Sequence, residues 1–190
     1  MRFSHLDTNR FRQRGFTLIE LMVTVTIAAV LLAVGIPSFS KLIANNRIAT
    51  QTNEFVGALN MARSEAVRRS QGVSIRSTNS SVDFASGWKI FNDPGLTGSA
   101  PAASDVLRET SGLAGKITLK SVSRSGSSPS FTYAVSTGTS IVFNSLGGNN
   151  AGTQAFFRVC DSGDSSIKGR ILQVSTVGKV SLDSATATCP

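Results

Sequence analysis

Residues 14–36 read RGFTLIELMVTVTIAAVLLAVGI, and this stretch decides how the rest of the chain is arranged. The 21 residues from Phe16 to Ile36 carry one charge, that of Glu20, and no other charged residue follows until Lys41. A helix of this length spans the hydrocarbon core of a bilayer. Because a carboxylate buried there without a partner is costly, Glu20 needs an explanation.

The residues ahead of the apolar segment are basic. Residues 1–15 contain four arginines and one aspartate, a net charge of +3, and the remaining residues contribute +5 to the total of +8. By the positive-inside rule, Arg10, Arg12 and Arg14 keep the N-terminus in the cytoplasm and send the C-terminal part across the membrane. A net positive charge also attracts nucleic acid or an anionic membrane surface, but it does not indicate a fold.

Two general interpretations of the apolar segment remain open. One is a cleaved signal peptide, with small residues such as Ala33 and Gly35 near a cleavage site. The other is an ordinary single-span membrane anchor. The apolar run is long for a signal peptide, and neither interpretation accounts for Glu20.

The residues at the start of the segment form a specific motif. Residues 14–20, Arg-Gly-Phe-Thr-Leu-Ile-Glu, resemble the prepilin signature of type IV pilins and type II secretion pseudopilins. The resemblance implies that prepilin peptidase cleaves after Gly15 on the cytoplasmic face of the inner membrane and that the new terminus, Phe16, is N-methylated. It also places Glu20 fifth in the mature chain and Pro37 at the family's usual kink position.

This resemblance suggests a partner for Glu20. Near the membrane interface, its carboxylate can reach water while the subunit waits in the bilayer. In a filament, we expect it to pair with the amine of Phe16 on a neighbouring subunit. A desolvated ion pair with one allowed register specifies assembly, although its net stabilisation is small.

The helical pattern continues beyond the apolar segment. Apolar residues recur at helical spacing at Phe39, Leu42 and Ile43, and again at Phe55, Leu59, Ala62 and Ala66. We predict one long helix from about Thr17 to Gln71, kinked or broken near Pro37, with Gly72 as its C-cap. The predicted segments are a cleaved leader (1–15), a transmembrane or filament-core helix (16–37), an amphipathic helix entering the soluble domain (38–71) and a periplasmic β-rich domain (72–190).

The part after Gly72 alternates short β-rich runs with clusters of Gly, Ser, Asn and Pro. Predicted strands are Val73–Arg76, Gly87–Phe91, Asp105–Glu109, Lys116–Val122, Ser130–Ala134, Ser140–Asn144, Ala155–Val159, Arg170–Ser175 and Lys179–Leu182. Predicted loops are Asn92–Ser104, Ser123–Pro129, Leu146–Thr153 and Asp161–Lys168, and a hairpin turn is predicted at residues 176–178. The expected fold is α+β and type IV pilin-like: a long N-terminal helix, transmembrane in its first half, packed on a C-terminal antiparallel β-sheet domain.

Segments beyond the N-terminal motif resemble the GspH/FimT family of minor pilins and pseudopilins. Residues 59–69 are similar to the family's helix end, residues 87–93 (Gly-Trp-Lys-Ile-Phe-Asn-Asp) to its "GW…F.D" strand, and residues 106–108 to its next strand. The C-terminal pattern is matched by residues 141–143 followed by Gly147, and by residues 169–171 followed by residues 178–180.

The two cysteines, Cys160 and Cys189, lie near the end of the chain. A single pair in an exported protein fits one disulfide, and two free thiols in the cytosol are the alternative. A disulfide here closes a loop of about 30 residues, worth on the order of 3–4 kcal/mol. The pair and the Cys-Pro ending resemble the pilus-type FimU subunits, which connect the tip complex to the major pilin.

The sequence contains no recognisable catalytic constellation. The only histidine is His5, inside the predicted leader, and no metal-ligand spacing occurs. Ser86 and Lys89 match a bare S-x-x-K pattern without its companion motifs. We expect a protein that is not an enzyme and has no cofactor and no metal.

The resemblance implies a structural function: a minor pilin of a type IV pilus that contributes to the tip or priming complex. Its expected partners are prepilin peptidase, the inner membrane, and other minor and major pilins or pseudopilins. One alternative is a pseudopilin of a type II secretion system, similar to protein H of that system, in protein export.

Another alternative is a minor pilin that binds DNA for uptake in natural transformation. FimT-type members bind DNA through a segment resembling G-R-x-R, whereas residues 178–181 here read Gly-Lys-Val-Ser. The candidate phosphate contacts are Arg158, Lys168, Arg170 and Lys179. Ordinary solvated surface charge is the competing interpretation.

Overall fold

The structure is a computed structural model that describes residues 15–79, 83–127, 130–135, 138–163, 167–187 and 189. The chain forms two compact units, Met1–Ser40 and Lys41–Pro190. One α-helix, α1, runs over Leu18–Arg69 without interruption at residues 35–37. A proline removes one helical hydrogen bond without necessarily ending the helix. The alternative of a break near Pro37 is therefore wrong, and the kink stays a prediction.

The N-terminal part of α1 exposes its apolar side chains on all sides. It is long and apolar enough to cross a membrane, and none of its most apolar stretch is buried. The hydroxyls of Thr24 and Thr26 donate to the carbonyl oxygens of Leu21 and Met22 at 2.9 and 2.8 Å. These hydroxyls therefore need no partner from outside the helix, as an apolar environment requires.

The second unit contains nine described strands in two antiparallel sheets. The strands are β1 (Val73–Ser77), β2 (Gly87–Asn92), β3 (Val106–Ser111), β4 (Ile117–Ser127), β5 (Ser130–Val135), β6 (Ser140–Phe143), β7 (Ala155–Asp161), β8 (Gly169–Val174) and β9 (Val180–Ala187). Sheet A has the order β3-β2-β1-β6 and sheet B the order β5-β4-β7-β8-β9. Short 3₁₀ turns occupy Phe84–Ser86 and Ala103–Asp105.

The α+β fold with a long N-terminal helix is confirmed, and each predicted strand corresponds to an observed one. The division into two sheets was not part of the prediction. The predicted loop Ser123–Pro129 is wrong over its first five residues, because β4 continues to Ser127 and pairs with β5. Residues 128 and 129 lie outside the described part of the chain.

One stripe of α1 forms the centre of the core. The buried positions follow helical spacing: Ile48, Thr52, Phe55, Leu59, Ala62 and Ala66. The ring of Phe55 lies 5.1 Å from Trp88 of β2, 5.4 Å from Phe84 and 5.0 Å from Phe157 of β7, so it contacts residues of both sheets. The amphipathic pattern predicted from Phe55 to Ala66 is thereby confirmed. These rings bury large apolar surfaces and prefer such edge-on contacts.

The earlier apolar set is exposed. Phe39, Leu42 and Ile43 are 67%, 52% and 52% exposed. Their expected place in the packed half of the helix is therefore wrong, and burial begins around Ala44 and Ile48.

The C-terminus of α1 is capped by a residue that the sequence did not indicate. Ser70 has a positive φ of 51°. The amide of Ser70 donates to Val67 O, and that of Gln71 donates to Ala66 O, each at 3.2 Å. This pair of bonds is a Schellman motif centred on Ser70, so the expected cap at Gly72 is wrong. Gly72 is needed for another reason, because a Cβ there would overlap the carbonyl oxygen of Asp93.

Candidate assembly site

The start of α1 has a defined cap. Residues 15–17 are exposed and lie outside the helix, which begins at Leu18. The amide of Glu20 donates to Thr17 Oγ1 at 3.2 Å, and the amide of Leu21 donates to Thr17 O at 3.1 Å. Thr17 is therefore the N-cap and Glu20 the third helical residue, the spacing of a capping box.

This cap gives Glu20 a local role within the subunit. Its carboxylate is exposed in the first turn, where negative charge interacts favourably with the helix dipole. Sequence reasoning missed Thr17, although the T-x-x-E spacing of residues 17–20 signals a helix start. The pairing of Glu20 with a neighbouring Phe16 stays a prediction, as does the assembly role of Pro37, which lies within the helix.

The surface that follows Glu20 is suited to burial against other apolar surfaces. Large side chains such as Leu31 and Val34 are 68% and 72% exposed, and Phe16 at the start is 75% exposed. Apolar surface of this extent is stable only when lipid or other helices cover it. Such a surface suits a helix that anchors in a membrane or packs against other apolar helices.

In the β-rich domain, the predicted "GW…F.D" strand has a structural role. The indole of Trp88 is fully buried, and the carboxylate of Asp93 accepts hydrogen bonds from Ser74 Oγ at 2.6 Å and from the amides of Gly98 and Thr97 at 2.6 and 3.1 Å. Burial alone would raise the pKa of Asp93, but these hydrogen bonds outweigh it and hold the pKa below its ordinary value. Asp93 thus fastens the loop after β2 onto β1.

The helix-end segment and the C-terminal glycines meet in space. Arg63 of α1 donates from Nε to Gly147 O at 3.0 Å and from its terminal guanidinium nitrogen to Val177 O at 3.1 Å. Gly147 and Gly178 have positive φ angles of 76° and 77°, and a Cβ at 178 would overlap Gly147 O. Three segments singled out by resemblance therefore form one structural junction.

The predicted disulfide is present. Cys160 of β7 is bonded to Cys189, with a Cα–Cα distance of 5.6 Å. A Cβ on Gly169 of β8 would lie 2.7 and 2.8 Å from the two sulfur atoms, so the bridge packs directly on this glycine. The covalent link fastens the C-terminus to sheet B.

The structure does not bring the four candidate DNA contacts together on one face. Arg158 pairs with Ile171 and Arg170 with Val159 in adjacent strands, so the two arginines point to opposite faces of sheet B. Lys168 precedes β8, whereas Lys179 follows the turn at its other end, roughly 17 Å away along the strand. DNA binding stays a prediction without support from this geometry.

Comparisons with known proteins match both parts of the chain. The profile of the family described as "Type II transport protein GspH" matches residues 51–178, and that of the "Prokaryotic N-terminal methylation motif" matches residues 10–36. No curated protein sequence matches the chain significantly.

Two solved structures of a minor pilin have a similar fold, and a solved minor pseudopilin is a weaker match. Two crystal structures of the type IV minor pilin FimU of Pseudomonas aeruginosa are similar: the first at 26% identity and a TM-score of 0.59, covering 75% of this chain and 93% of that chain, and the second at 25% and 0.55, covering 73% and 95%. The minor pseudopilin EpsH from the Type 2 Secretion System of Vibrio cholerae has 14% identity and a TM-score of 0.48, covering 72% and 96%.

The match to the GspH profile extends over more than half of the chain, from the packed part of α1 to the turn between β8 and β9. The methylation motif covers the exposed apolar start of the same helix. The chain therefore belongs to the GspH family, as a structural minor pilin or pseudopilin with an N-terminal methylation motif.

Proposed function

We propose that the chain is a minor pilin of a type IV pilus that takes part in the tip or priming complex and in filament assembly. The similarity to the minor pilin FimU, over 93% of that protein's chain, carries this proposal. The disulfide between Cys160 and Cys189 agrees with it, because such bonds form outside the reducing cytosol.

The first step is removal of the leader, residues 1–15, by prepilin peptidase. The bond between Gly15 and Phe16 precedes the cap at Thr17, so it lies outside the helix where a peptidase can bind an extended chain. Cleavage exposes the amine of Phe16, which then becomes N-methylated. Since the cap and all helical residues lie beyond this bond, cleavage leaves the start of α1 intact.

The second step is insertion and assembly. Residues 16–37 span the inner membrane as a single pass, with the arginine-rich N-terminus cytoplasmic and residues 72–190 periplasmic. Residues 38–71 continue the helix into the soluble domain. In the filament, Glu20 pairs with the Phe16 amine of a neighbour, and the exposed apolar side chains leave lipid for contact with other pilin helices.

A second candidate is a pseudopilin of a type II secretion system. The function after which the matching family is named, type II transport, favours it. The processing, membrane insertion and helix bundling proposed above apply equally to this candidate. The two differ in the filament that the subunit joins and in the consequence of its loss.

Deletion of the gene separates these candidates. For the pilus subunit, surface piliation falls while secretion of exoproteins is unchanged, and for the pseudopilin the reverse holds. Complementation with Gly15→Ala serves as the control, because an unprocessed precursor accumulates and restores neither function. If deletion changes neither piliation nor secretion, both candidates are wrong. If Gly15→Ala is processed and restores function, the requirement for Gly15 is wrong, and if it restores function without being processed, the cleavage step is wrong.

A further inference from the structure

Three exposed apolar side chains from separate segments lie together near the C-terminal end of α1. Val67 of α1 is 50% exposed, Leu146 before β7 is 86% exposed, and Val177 between β8 and β9 is 66% exposed. Gly147, next to Leu146, approaches Val67 so closely that an added Cβ would lie 2.9 Å from Val67 Cγ2. We call these three residues the turn patch. Contiguous exposed apolar surface of this kind marks interaction sites more often than scattered single residues do.

The two turns have the same construction. The amide of Gly147 donates to Asn144 O at 2.8 Å, and the amide of Gly178 donates to Ser175 O at 2.9 Å. In each turn, the residue before the glycine is a large aliphatic one, at a position where polar residues are usual. Neither aliphatic side chain is needed for the turn, since the glycine and the hydrogen bond provide its geometry.

The turn patch is also held rigidly. Arg63 donates hydrogen bonds to both turns, and Asn144 Oδ1 accepts from the amides of Leu146 and Gly148 at 3.0 and 2.9 Å. A prearranged surface loses little conformational entropy when a partner binds. Beside the patch lies an open cleft of about 390 Å³, lined by Asn60, Arg63, Ser64, Val67 and Arg68. The patch therefore combines exposed aliphatic groups with an adjoining shallow, open surface of α1.

Charge indicates which partner fits. Arg63 and Arg68 line the cleft, and the exposed Lys179 follows Val177 by two residues. Glu65 bonds to both Arg68 and Arg69, at 2.6 and 2.7 Å, so its single negative charge leaves a net +3 when Arg69 is counted with these three cations. Because residues 16–190, which remain after removal of the leader, hold 15 basic and 10 acidic residues and so carry a net +5, a second copy is repelled at this surface, whereas an acidic partner is attracted.

We propose that the turn patch docks a different subunit of the same filament, one that presents an apolar side chain flanked by carboxylates. This inference rests on the proposed function, because it requires the chain to enter a filament of pilin-like subunits. It goes further by assigning a surface of the β-rich domain, separate from the apolar helix, to contact with one class of neighbour. The exposed side chains of the turn patch bind the partner's aliphatic group, and the nearby cations bind its carboxylates.

Site-specific photocrosslinking in cells tests the inference. p-Benzoylphenylalanine is placed in the full chain at 146 or 177, at Val135 as an exposed control position on β5, and at Val30 as a reporter of helix assembly. Crosslinked products are identified by mass spectrometry. We expect positions 146 and 177 to crosslink to one acidic pilin-like subunit at least five times more strongly than position 135.

The outcomes are distinguishable. Crosslinks from position 30 to pilin-like proteins, with none from 146 or 177, overturn the turn patch and leave the proposed function standing. Crosslinks from 146 or 177 to a second copy of this chain, or equal crosslinking from 135, also overturn it. If position 30 captures no pilin-like subunit either, the proposed function itself fails and the inference fails with it.

Matched variants test the charge component. Leu146→Asp should lower crosslinking from position 177 at least tenfold, because it removes the apolar tip and adds a charge that repels the partner. Leu146→Lys should lower it less, since the added charge attracts the partner. Val135→Asp is the control and should leave it unchanged. An equal loss for Leu146→Asp and Leu146→Lys would show that the partner is not acidic and would overturn the assignment.

Discussion

Arg63 of α1 donates from Nε to the carbonyl oxygen of Gly147, 84 residues further along the chain, at 3.0 Å. The same guanidinium reaches the carbonyl of Val177 at 3.1 Å, so one side chain joins the helix to two turns. Arginine suits this role because its planar fork presents several donors in fixed directions. Without Arg63, the carbonyl groups of Gly147 and Val177 would lack these hydrogen-bond donors.

Replacement of Arg63 by alanine should therefore destabilise the fold. We expect the free energy of unfolding to fall by about 1.5–3 kcal/mol, the usual range for hydrogen bonds to a charged group. Arg68→Ala is the control, because its ion pair with Glu65 lies on the exposed surface of the helix, where solvent screens it and its contribution to stability is small. Urea unfolding of the full chain in detergent measures both. Similar losses for the two variants would contradict the role of Arg63.

Substitutions at two nearby positions after α1 should change the free energy of unfolding in opposite directions. Ser70→Gly should raise the free energy of unfolding by about 1 kcal/mol, because it removes the cost of a left-handed conformation for a residue with a Cβ. Gly72→Ala should lower it by about 1–3 kcal/mol, because its Cβ overlaps the carbonyl of Asp93. Thermal unfolding of both variants checks this. A stabilising Gly72→Ala would contradict the close approach of residue 72 to Asp93, and a destabilising Ser70→Gly would contradict the cap at Ser70.

Asp93 should make stability depend on pH in the acidic range. Its pKa is lowered in the folded state, so its contribution is present above the ordinary value of 3.8 and is lost as pH falls through the folded pKa. We expect Asp93→Asn to lower the melting temperature most at pH 6–7, and the difference from the native protein to shrink below about pH 4. A difference that grows with acidity would contradict the direction of the shift.

The disulfide should contribute to stability through the loop that it closes. Its cysteines are 29 residues apart, and replacing both by serine should lower the free energy of unfolding by about 3–4 kcal/mol. The native protein with added reductant should lose a similar amount, whereas the double variant should not respond. Gly169→Ala tests the packing of the disulfide against β8 separately from the bond itself. Its Cβ would contact both sulfur atoms, while the disulfide stays in place.

Glu20 allows assembly to be separated from insertion. Glu20→Gln keeps the side-chain size but removes the charge that we propose pairs with a neighbouring Phe16, so we expect membrane insertion and cleavage to continue while incorporation into filaments falls at least tenfold. Glu20→Asp serves as the control that keeps the charge. Immunoblots of membranes and of sheared filaments measure the two steps. Normal incorporation of Glu20→Gln would exclude the pairing.

The sequence predicted local structure well, because its signals are local. Alternating apolar residues bounded by turn residues located all nine described strands. The division into two sheets could not be predicted from the sequence, because it depends on pairings between distant segments. β1, for example, pairs with both β2 and the distant β6. The segment Ser123–Ser127 resembled a loop in composition, and its pairing with β5 makes it a strand nonetheless.

The same limit applies to the candidate sites. The methylation motif could be located because it is a contiguous pattern. The four basic residues appeared to be one patch only because they are close in the sequence, and strand register placed Arg158 and Arg170 on opposite faces. The junction of Arg63 with Gly147 could not be predicted, since the two residues are 84 positions apart in the sequence and no local pattern links them.

The aromatic cluster on Phe55 gives the protein a built-in optical reporter. Trp88 is the single tryptophan of the chain, it is fully buried, and its ring lies 5.1 Å from that of Phe55 on α1. Ultraviolet emission excited at the indole band therefore arises from the junction of the helix with sheet A. Detachment of α1 would admit water to the indole, shift its emission to longer wavelength, and reveal the event without an added label.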